Sequence, residues 1–284
     1  MADITIAAVL RDGTFSPNHI GNDAAILHDT VAELRRKGFA VNIYTETQFV
    51  GSRIDEDMIL AMCRGRQAVE KLQRLEDDGK IAVNSGYGIE NCIRMFMTKI
   101  LRDAGVPTPE TIVVDTDVDV RRRLREAGFE ASWVKIADNH LHHLEDTCRC
   151  RHVDEVQEIL HEFFFRNIRK AAVAKEIGGE RMRFYGVASM DWFHCFKPYA
   201  TGAAGDSGQD ELAEKARQVC MKAAAALQVD VFGGDLSVTP EGECLLVNFD
   251  DWPSFAPIRR EAARMIAKSV LARARKLKSR RKMK

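Results

Sequence analysis

The sequence predicts an α/β protein in which a small parallel-sheet domain precedes two mixed α+β segments. Over the first 83 residues, short apolar stretches typical of strands alternate with stretches of helical periodicity, which is the pattern of a parallel sheet. Further along, apolar strands follow one another directly, and the turn at 239–242 is typical of a β-hairpin. The 284 residues suffice for two or three compact units, and 45% hydrophobic and 30% charged residues are typical of a globular protein.

The first domain is predicted to span 1–88. Apolar stretches predict strands over 4–10, 41–44 and 81–83. Apolar residues at helical spacing predict helices over 23–37 and 66–77. Gly38 directly follows the first helix, where glycine commonly ends one.

The remaining chain is predicted to form a segment at 89–185, a segment at 186–272 and a basic tail at 273–284. The second segment opens with a helix that ends near Gly105, and its predicted apolar face consists of Ile89, Ile93, Phe96 and Ile100. Further strands are predicted over 111–114, 132–136, 171–176, 182–188, 192–197, 229–236 and 243–248. Further helices are predicted over 117–127, 153–169, 209–226 and from 257 onward.

Composition and charge exclude several classes of protein. The formal net charge is zero, which excludes a strongly basic nucleic-acid binder as a whole, and no apolar run approaches the length of a membrane span. Residues 1–9 lack the basic and long apolar regions of a signal peptide. Seven dispersed cysteines are typical of reduced thiols, so we expect a cytoplasmic location. The basic tail is either a solvated helix end or a weak contact for a polyanion.

Oxygen-bearing side chains near the end of the chain suggest a metal site. Asp235 follows an apolar strand, and Asn248 and Asp250 share one face of the next strand because side chains alternate across a strand. Such oxygens are the ligands that Mg²⁺ prefers. A surface hairpin with solvated acids is the alternative.

Two cations upstream could bind a nucleoside triphosphate. Such a ligand needs cations for its phosphates and a divalent ion that bridges them. Lys135 ends an otherwise apolar strand, where a lysine is costly unless it faces a ligand or partner. Arg94 lies on the helix that precedes Gly105. A surface lysine whose charged end reaches solvent remains the alternative for Lys135.

The order and spacing of these features resemble the ATP-grasp superfamily, which includes the D-alanine–D-alanine ligases. The resemblance spans roughly 85–260. The segment 101–111 resembles that fold's entry into its central domain, and 173–180 resembles its adenine-binding hinge. Asp235 with 248–255 resembles its metal site. The resemblance implies an N-terminal domain followed by two α+β subdomains that clamp ATP.

Carried over by position, the resemblance assigns a role to each matching residue. Arg94 and Lys135 would contact the phosphates, and Lys135 and Arg183 would act in catalysis. The adenosine would lie against Lys175, Glu176, Ile177 and Glu180. The metal, Mg²⁺ or Mn²⁺, would be held by Asp235, Asn248 and Asp250.

Two departures from the family pattern bear on the site. Asn248 stands where many members carry an acid, so one carboxylate fewer is available for a second metal. The loop 138–152 lacks the usual glycine-rich run and is rich in histidine and cysteine. It could close over the triphosphate with His140 or Arg149 as donor, hold a structural zinc, or be a plain solvated loop.

The implied activity is an ATP- and magnesium-dependent ligase that joins a carboxylate to an amine through an acyl phosphate. The rivals are a small-molecule kinase with a hydroxyl acceptor and a non-catalytic nucleotide-binding protein. The acceptor, a small molecule or a peptide, is not identified by any motif. Turns at 16–18 and 84–85 follow strands of the first domain and are candidates for binding it, although ordinary turn chemistry explains them equally well.

Overall fold

The computed structural model describes residues 4–16, 20–140, 144–196 and 207–282, and within them the strands form three four-stranded sheets. One sheet is parallel and two are antiparallel. Short 3₁₀ helices lie at Gly13–Phe15, Leu144–Asp146, Ala188–Met190 and Ala256–Ile258. No helix in these ranges is both long enough and apolar enough to cross a membrane.

The N-terminal domain is built on the parallel sheet, whose strand order is β2-β1-β3-β4. Its strands are β1 (Thr5–Val9), β2 (Ala40–Tyr44), β3 (Met58–Ala61) and β4 (Ile81–Val83). Its helices are α1 (Ile20–Arg36), α2 (Glu46–Gly51), α3 (Arg66–Asp77) and α4 (Gly86–Asn91). The predicted parallel sheet is confirmed, but β3 and α2 were not predicted from the sequence.

The central sheet is antiparallel, with strand order β5-β8-β6-β7. Its elements are α5 (Arg94–Asp103), β5 (Thr111–Asp115), α6 (Arg121–Glu126), β6 (Ser132–Ile136), β7 (Thr147–Cys150), α7 (Val153–Phe165) and β8 (Lys170–Lys175). Strand β7 lies within the segment 138–152, which was predicted to be a loop throughout. It pairs with β6, so Cys148 and Cys150 belong to the edge of this sheet.

The C-terminal sheet is also antiparallel, with strand order β10-β9-β11-β12. Its elements are β9 (Glu180–Val187), β10 (Trp192–Phe196), α8 (Ser207–Leu227), β11 (Val231–Val238), β12 (Cys244–Asp251) and α9 (Arg259–Lys282). Strand β9 pairs with β11 along its whole length. The boundary expected at 185 therefore falls inside β9, and the two antiparallel sheets divide the chain at 176–179.

The single helix predicted from 89 to Gly105 is two helices, α4 and α5. Ile93 caps the second one with an extended backbone, so the helical phase restarts there. As a result, Met97 and Leu101 are buried, whereas Phe96 of the predicted apolar face is 40% exposed.

Helix α9 leaves the C-terminal sheet and packs against α1 of the N-terminal domain. Ile266 and Val270 of α9 share one buried core with Leu27 and Val31 of α1. The basic tail predicted at 273–284 continues this helix as far as 282. The helix thus holds the two ends of the chain together.

Candidate active site

A cleft lies between the central and C-terminal sheets and is closed on one side by α5. Its volume is about 640 Å³ when the solvent in its open mouth is included. The walls are largely apolar and include Met97, Leu101, Trp133, Ala172, Ala174, Ile177, Leu246 and Phe249. Its polar side chains include Arg94, Lys135, Lys175, Arg181 and Asn248.

Lys135 reaches this cleft because side chains alternate along β6. Val134 and Ile136 are buried in the core of the central sheet, while Trp133 and Lys135 line the cleft. The pKa of Lys135 falls to about 7, since burial disfavours the charged amine and the nearby Arg94 and Arg181 repel it, against the opposing attraction of Asp250 and Asp235. Two acids from the end of the chain therefore lie close enough to Lys135 to act on its charge.

Arg94 is the first residue of α5, and its charge acts on Lys135. Its guanidinium donates a hydrogen bond of 3.0 Å to Oδ1 of Asn248. Burial lowers the pKa of Arg94, although Asp250 opposes the shift. A half-buried cation that donates to a neutral amide is suited to an anionic ligand, because the ligand would add negative charge beside it.

The oxygen-bearing residues share one face of the C-terminal sheet. Asp235 of β11 lies opposite Asn248 of β12, and Nδ2 of Asn248 donates to Oδ2 of Asp250 over 2.8 Å. Arg183, opposite Asp235 on β9, donates two hydrogen bonds of 3.0 and 2.9 Å, both to Oδ1 of that carboxylate. Gly234 precedes Asp235 within β11 and has a φ of +157°, which side chains rarely allow.

This donor set has the composition that Mg²⁺ prefers, two carboxylates and one amide oxygen. The Arg183 bonds leave the second oxygen of Asp235 for another partner, whereas Oδ1 of Asn248 is held by Arg94. Among the described residues, no group of three or more histidine, cysteine or acidic side chains is placed to hold a metal. The predicted zinc alternative for the loop 138–152 therefore has no support in its described part, and His142 and His143 lie outside the described residues.

The residues predicted to form the adenine-binding hinge, at the end of β8 and just after it, do not all face the cleft. Lys175 and Ile177 line the cleft, and Nζ of Lys175 also lies 2.5 Å from Oε2 of Glu110. Glu176 is not among the lining residues, since Arg149 of β7 binds its carboxylate through two hydrogen bonds of 2.7 Å, which lower the pKa of Glu176.

Strand β9 presents a different cation to the cleft from the one predicted. Glu180 is exposed at the start of the strand and does not line the cleft. Arg181 lines it and acts on Lys135, whereas Arg183 is turned toward Asp235. Sequence reasoning missed Arg181, although the two arginines stand two residues apart and so share a face.

The N-terminal domain contributes two arginines that the sequence analysis did not single out. Arg64, three residues after β3, donates hydrogen bonds of 3.0 and 2.7 Å to Oδ1 of Asp251 and lies 4.0 Å from Asp250. Arg11, two residues after β1, binds Asp23 at 3.0 Å and the backbone oxygen of Asp251 at 3.0 Å. Burial opposes the charge of Arg64, but Asp251 and Asp250 outweigh it and raise the pKa of Arg64.

Arg64 borders a second, smaller chamber of about 350 Å³ beside the cleft. Its lining includes Arg64, Cys92, Arg94, Asn139, His140 and Asp250. His140 is buried, and its ring meets Phe15 of the N-terminal domain edge-on at 6.4 Å between ring centroids. The predicted His140 thus faces this chamber, which joins all three parts of the chain.

The two turns considered for the second substrate have other partners. The side chain of Asn84 is buried and forms three hydrogen bonds of 2.8 to 3.0 Å with the backbone of Asp230 and Val231. Asn84 therefore fixes the N-terminal domain to β11. Ser16 donates to Asp23 at 2.7 Å, and Pro17 and Asn18 lie outside the described residues.

No family model matches the sequence, and no curated protein matches it. The fold, in contrast, matches many solved structures. A D-alanine–D-alanine ligase from Bacillus anthracis complexed with ATP has a TM-score of 0.72 at 15% identity, over 97% of this chain and 99% of that one. VanG D-Ala:D-Ser ligase from Enterococcus faecalis has a TM-score of 0.72 at 12% identity, over 95% and 99%. A RimK domain ATP-grasp protein from Sphaerobacter thermophilus has a TM-score of 0.69 at 17% identity, over 94% and 99%.

These structural neighbours span nearly the whole chain and are ATP-grasp proteins. The chain therefore has the ATP-grasp fold, and the predicted fold class is confirmed.

Proposed function

We propose that this ATP-grasp chain is an ATP- and magnesium-dependent ligase that joins a carboxylate to an amine through an acyl phosphate. One observation carries the proposal. Lys135, Arg94 and Arg181 line an apolar cleft between the two antiparallel sheets, and Asp250 and Asp235 lie close enough to act on the charge of Lys135.

The two ends of the cleft suit the two parts of ATP. The apolar walls around Trp133, Ile177 and Leu246 would take the adenine, and the hinge after β8 would border its edge. Arg94, Lys135 and Arg181 would lie along the phosphates. The fold neighbour solved with ATP supports a nucleotide in this fold.

Asp235, Asn248 and Asp250 would hold the metal, after Arg94 releases Oδ1 of Asn248 and turns to a phosphate. Mg²⁺ or Mn²⁺ held by these residues would supply positive charge to offset that of the phosphates. Arg183 would keep Asp235 oriented through its two bonds to Oδ1.

The chemistry needs positioning and charge rather than a nucleophilic side chain. An oxygen of the acceptor carboxylate attacks the γ-phosphorus, the bond to the β,γ-bridging oxygen breaks, and ADP leaves. The nitrogen of the amine then attacks the carbonyl carbon of the acyl phosphate and loses a proton, and inorganic phosphate leaves. Lys135 and Arg94 would stabilise the charge that develops on the transferred group.

The acceptor would lie in the chamber beside Arg64 and His140, since this chamber adjoins Arg94 and Asp250 at the phosphate end. A small molecule or a peptide would fit the proposal, and one fold neighbour was solved with a precursor peptide. A cytoplasmic location belongs to the same proposal, supported by the seven free cysteines.

The test incubates the protein with Mg-ATP and a panel of amino acids, peptides and sugar alcohols. We expect one acceptor pair to yield ADP, inorganic phosphate and an amide in equal amounts. Asp250→Ala should abolish turnover, while Asp103→Ala, which removes an exposed carboxylate on α5, should not. A stable phosphate ester without inorganic phosphate would identify the rival kinase, and failure to bind ATP would overturn both readings.

A further inference from the structure

Helix α9 concentrates positive charge in a protein whose net charge is zero. Residues 259–284 contain 12 of the 42 lysines and arginines but one of the 42 acids, so the other 258 residues carry eleven more acids than bases. That single acid, Glu261, is engaged by Trp192 at 2.9 Å and by His194 at 3.3 Å. The charge of α9 is therefore not balanced along its own length.

Only some of these cations serve the fold. Arg273 binds Asp230 at 2.8 Å, and Arg281 binds Asp57 at 2.5 Å. Within the described part of the chain, the exposed side chains of Arg260, Lys268 and Arg275 form no ion pair.

Exposed cations follow one side of the helix. Arg260, Arg264, Lys268 and Arg275 lie within about 80° around the axis, at about 100° per residue, and together extend over roughly 22 Å. We call these four residues the basic stripe. All four are exposed, because the opposite side of α9 packs into the core with α1.

Two features of α9 narrow the kind of polyanion that would fit. Its apolar side, including Ile266 and Val270, is buried against the N-terminal domain, so the helix has no free apolar face to insert into a lipid surface. It contains no aromatic residue on which an unpaired base could stack. A rigid row of cations without stacking groups suits the regularly spaced phosphates of a duplex.

We propose that the basic stripe binds the sugar-phosphate backbone of double-stranded nucleic acid without sequence preference. The acidic remainder of the chain repels the same polyanion, which restricts contact to α9. Four phosphate contacts give a slope of about −3 to −4 for log K against log salt, or roughly 100-fold weaker binding at 200 mM than at 50 mM salt.

The test is fluorescence anisotropy of the full chain with duplex DNA and duplex RNA of about 20 base pairs, long enough to cover the stripe. Arg260→Glu/Arg264→Glu/Lys268→Glu should weaken binding at least 30-fold and flatten the salt slope. The matched control, Arg66→Glu/Arg102→Glu/Arg122→Glu, changes the net charge equally at exposed sites on other helices and should bind as the wild type does. Circular dichroism and Tm check that both variants remain folded.

Other outcomes would overturn the proposal. Equal losses in the two variants would mean that overall charge, and not the stripe, governs binding. Binding to vesicles with about 30% phosphatidylserine but not to either duplex would assign the stripe to an anionic membrane surface instead. Binding to one duplex type alone would uphold the proposal and identify which nucleic acid supplies the phosphates, whereas binding to neither duplex would overturn it.

Discussion

Removing the charge of Lys135 should stabilise the ligand-free protein. In the cleft, burial and the neighbouring Arg94 and Arg181 reduce the pKa of Lys135 from an ordinary 10.5 to about 7. The difference between the two values corresponds to roughly 5 kcal/mol as an upper limit. That energy is the cost of holding a protonated amine in the folded cleft.

The sign of the effect fixes its pH dependence. Below pH 7 the native and unfolded states both carry the proton on Lys135, so the native state bears the whole cost. Between pH 7 and 10.5 the native state loses the proton first, and the cost declines. Lys135→Met should therefore raise the free energy of unfolding by up to about 5 kcal/mol at pH 6, and by about 2 kcal/mol at pH 9.

Urea unfolding at the two pH values measures this difference. Lys99→Met serves as the control, because Lys99 is exposed on α5 and pairs with Asp103 along the helix surface. We expect the control to change stability by less than about 0.5 kcal/mol at either pH. If the two variants changed stability equally at pH 6, the protonated amine of Lys135 would not destabilise the folded cleft and the reasoning would be refuted.

The same amine should couple nucleotide binding to protons. Triphosphate charges restore the protonated form of Lys135, so ATP binding at pH 8 should take up roughly 0.9 proton at this site, against roughly 0.1 at pH 6. Calorimetric titration in buffers of different ionisation enthalpy measures the number of protons taken up when ATP binds. Identical uptake by the wild type and Lys135→Met at pH 8 would contradict contact between Lys135 and the phosphates.

Three further substitutions test the surroundings of the cleft. Arg64→Met leaves Asp251 buried without its two hydrogen bonds to Oδ1 and should cost roughly 3–5 kcal/mol in urea unfolding; a loss below about 1 kcal/mol would contradict this buried pair. Asn248→Asp adds a carboxylate to the oxygen cluster and should lower the Mg²⁺ concentration needed for half-maximal turnover; an unchanged requirement would remove Asn248 from the metal site. Gly234→Ala would place a methyl group 2.1 Å from the backbone oxygen of Asn248, so Tm should fall and stability drop by at least about 2 kcal/mol; an unchanged Tm would exclude that contact.

Sequence periodicity predicted the elements whose two faces differ. Strand β6 was predicted with its observed bounds, because it alternates between the core of the central sheet and the cleft. Strand β3, in contrast, reads Met-Ile-Leu-Ala and is buried on both faces, so it shows no alternation. Strand β7 reads Thr-Cys-Arg-Cys and lies at a sheet edge, where pairing with β6 rather than hydrophobicity selects the strand.

In the candidate site too, the sequence revealed residues that break a regular pattern and missed those that only strand pairing places. Lys135 stood out because a charge in an apolar strand is costly without a ligand. Arg64 could not stand out, since it follows β3, which was itself not recognised. Arg181 and Arg183 look equivalent in sequence, and only the register that places Asp235 beside Arg183 leaves Arg181 free to face the cleft.

The core shared by α1 and α9 has a consequence for synthesis of the protein. Ile26 and Leu27 of α1 complete their packing with Ile266 and Val270, which leave the ribosome some 240 residues later. Until then the nascent N-terminal sheet exposes an apolar flank of the kind that chaperones shield and that aggregates when crowded. A chain that stalled within α8 would contain every strand of its first sheet and still lack the surface that covers it.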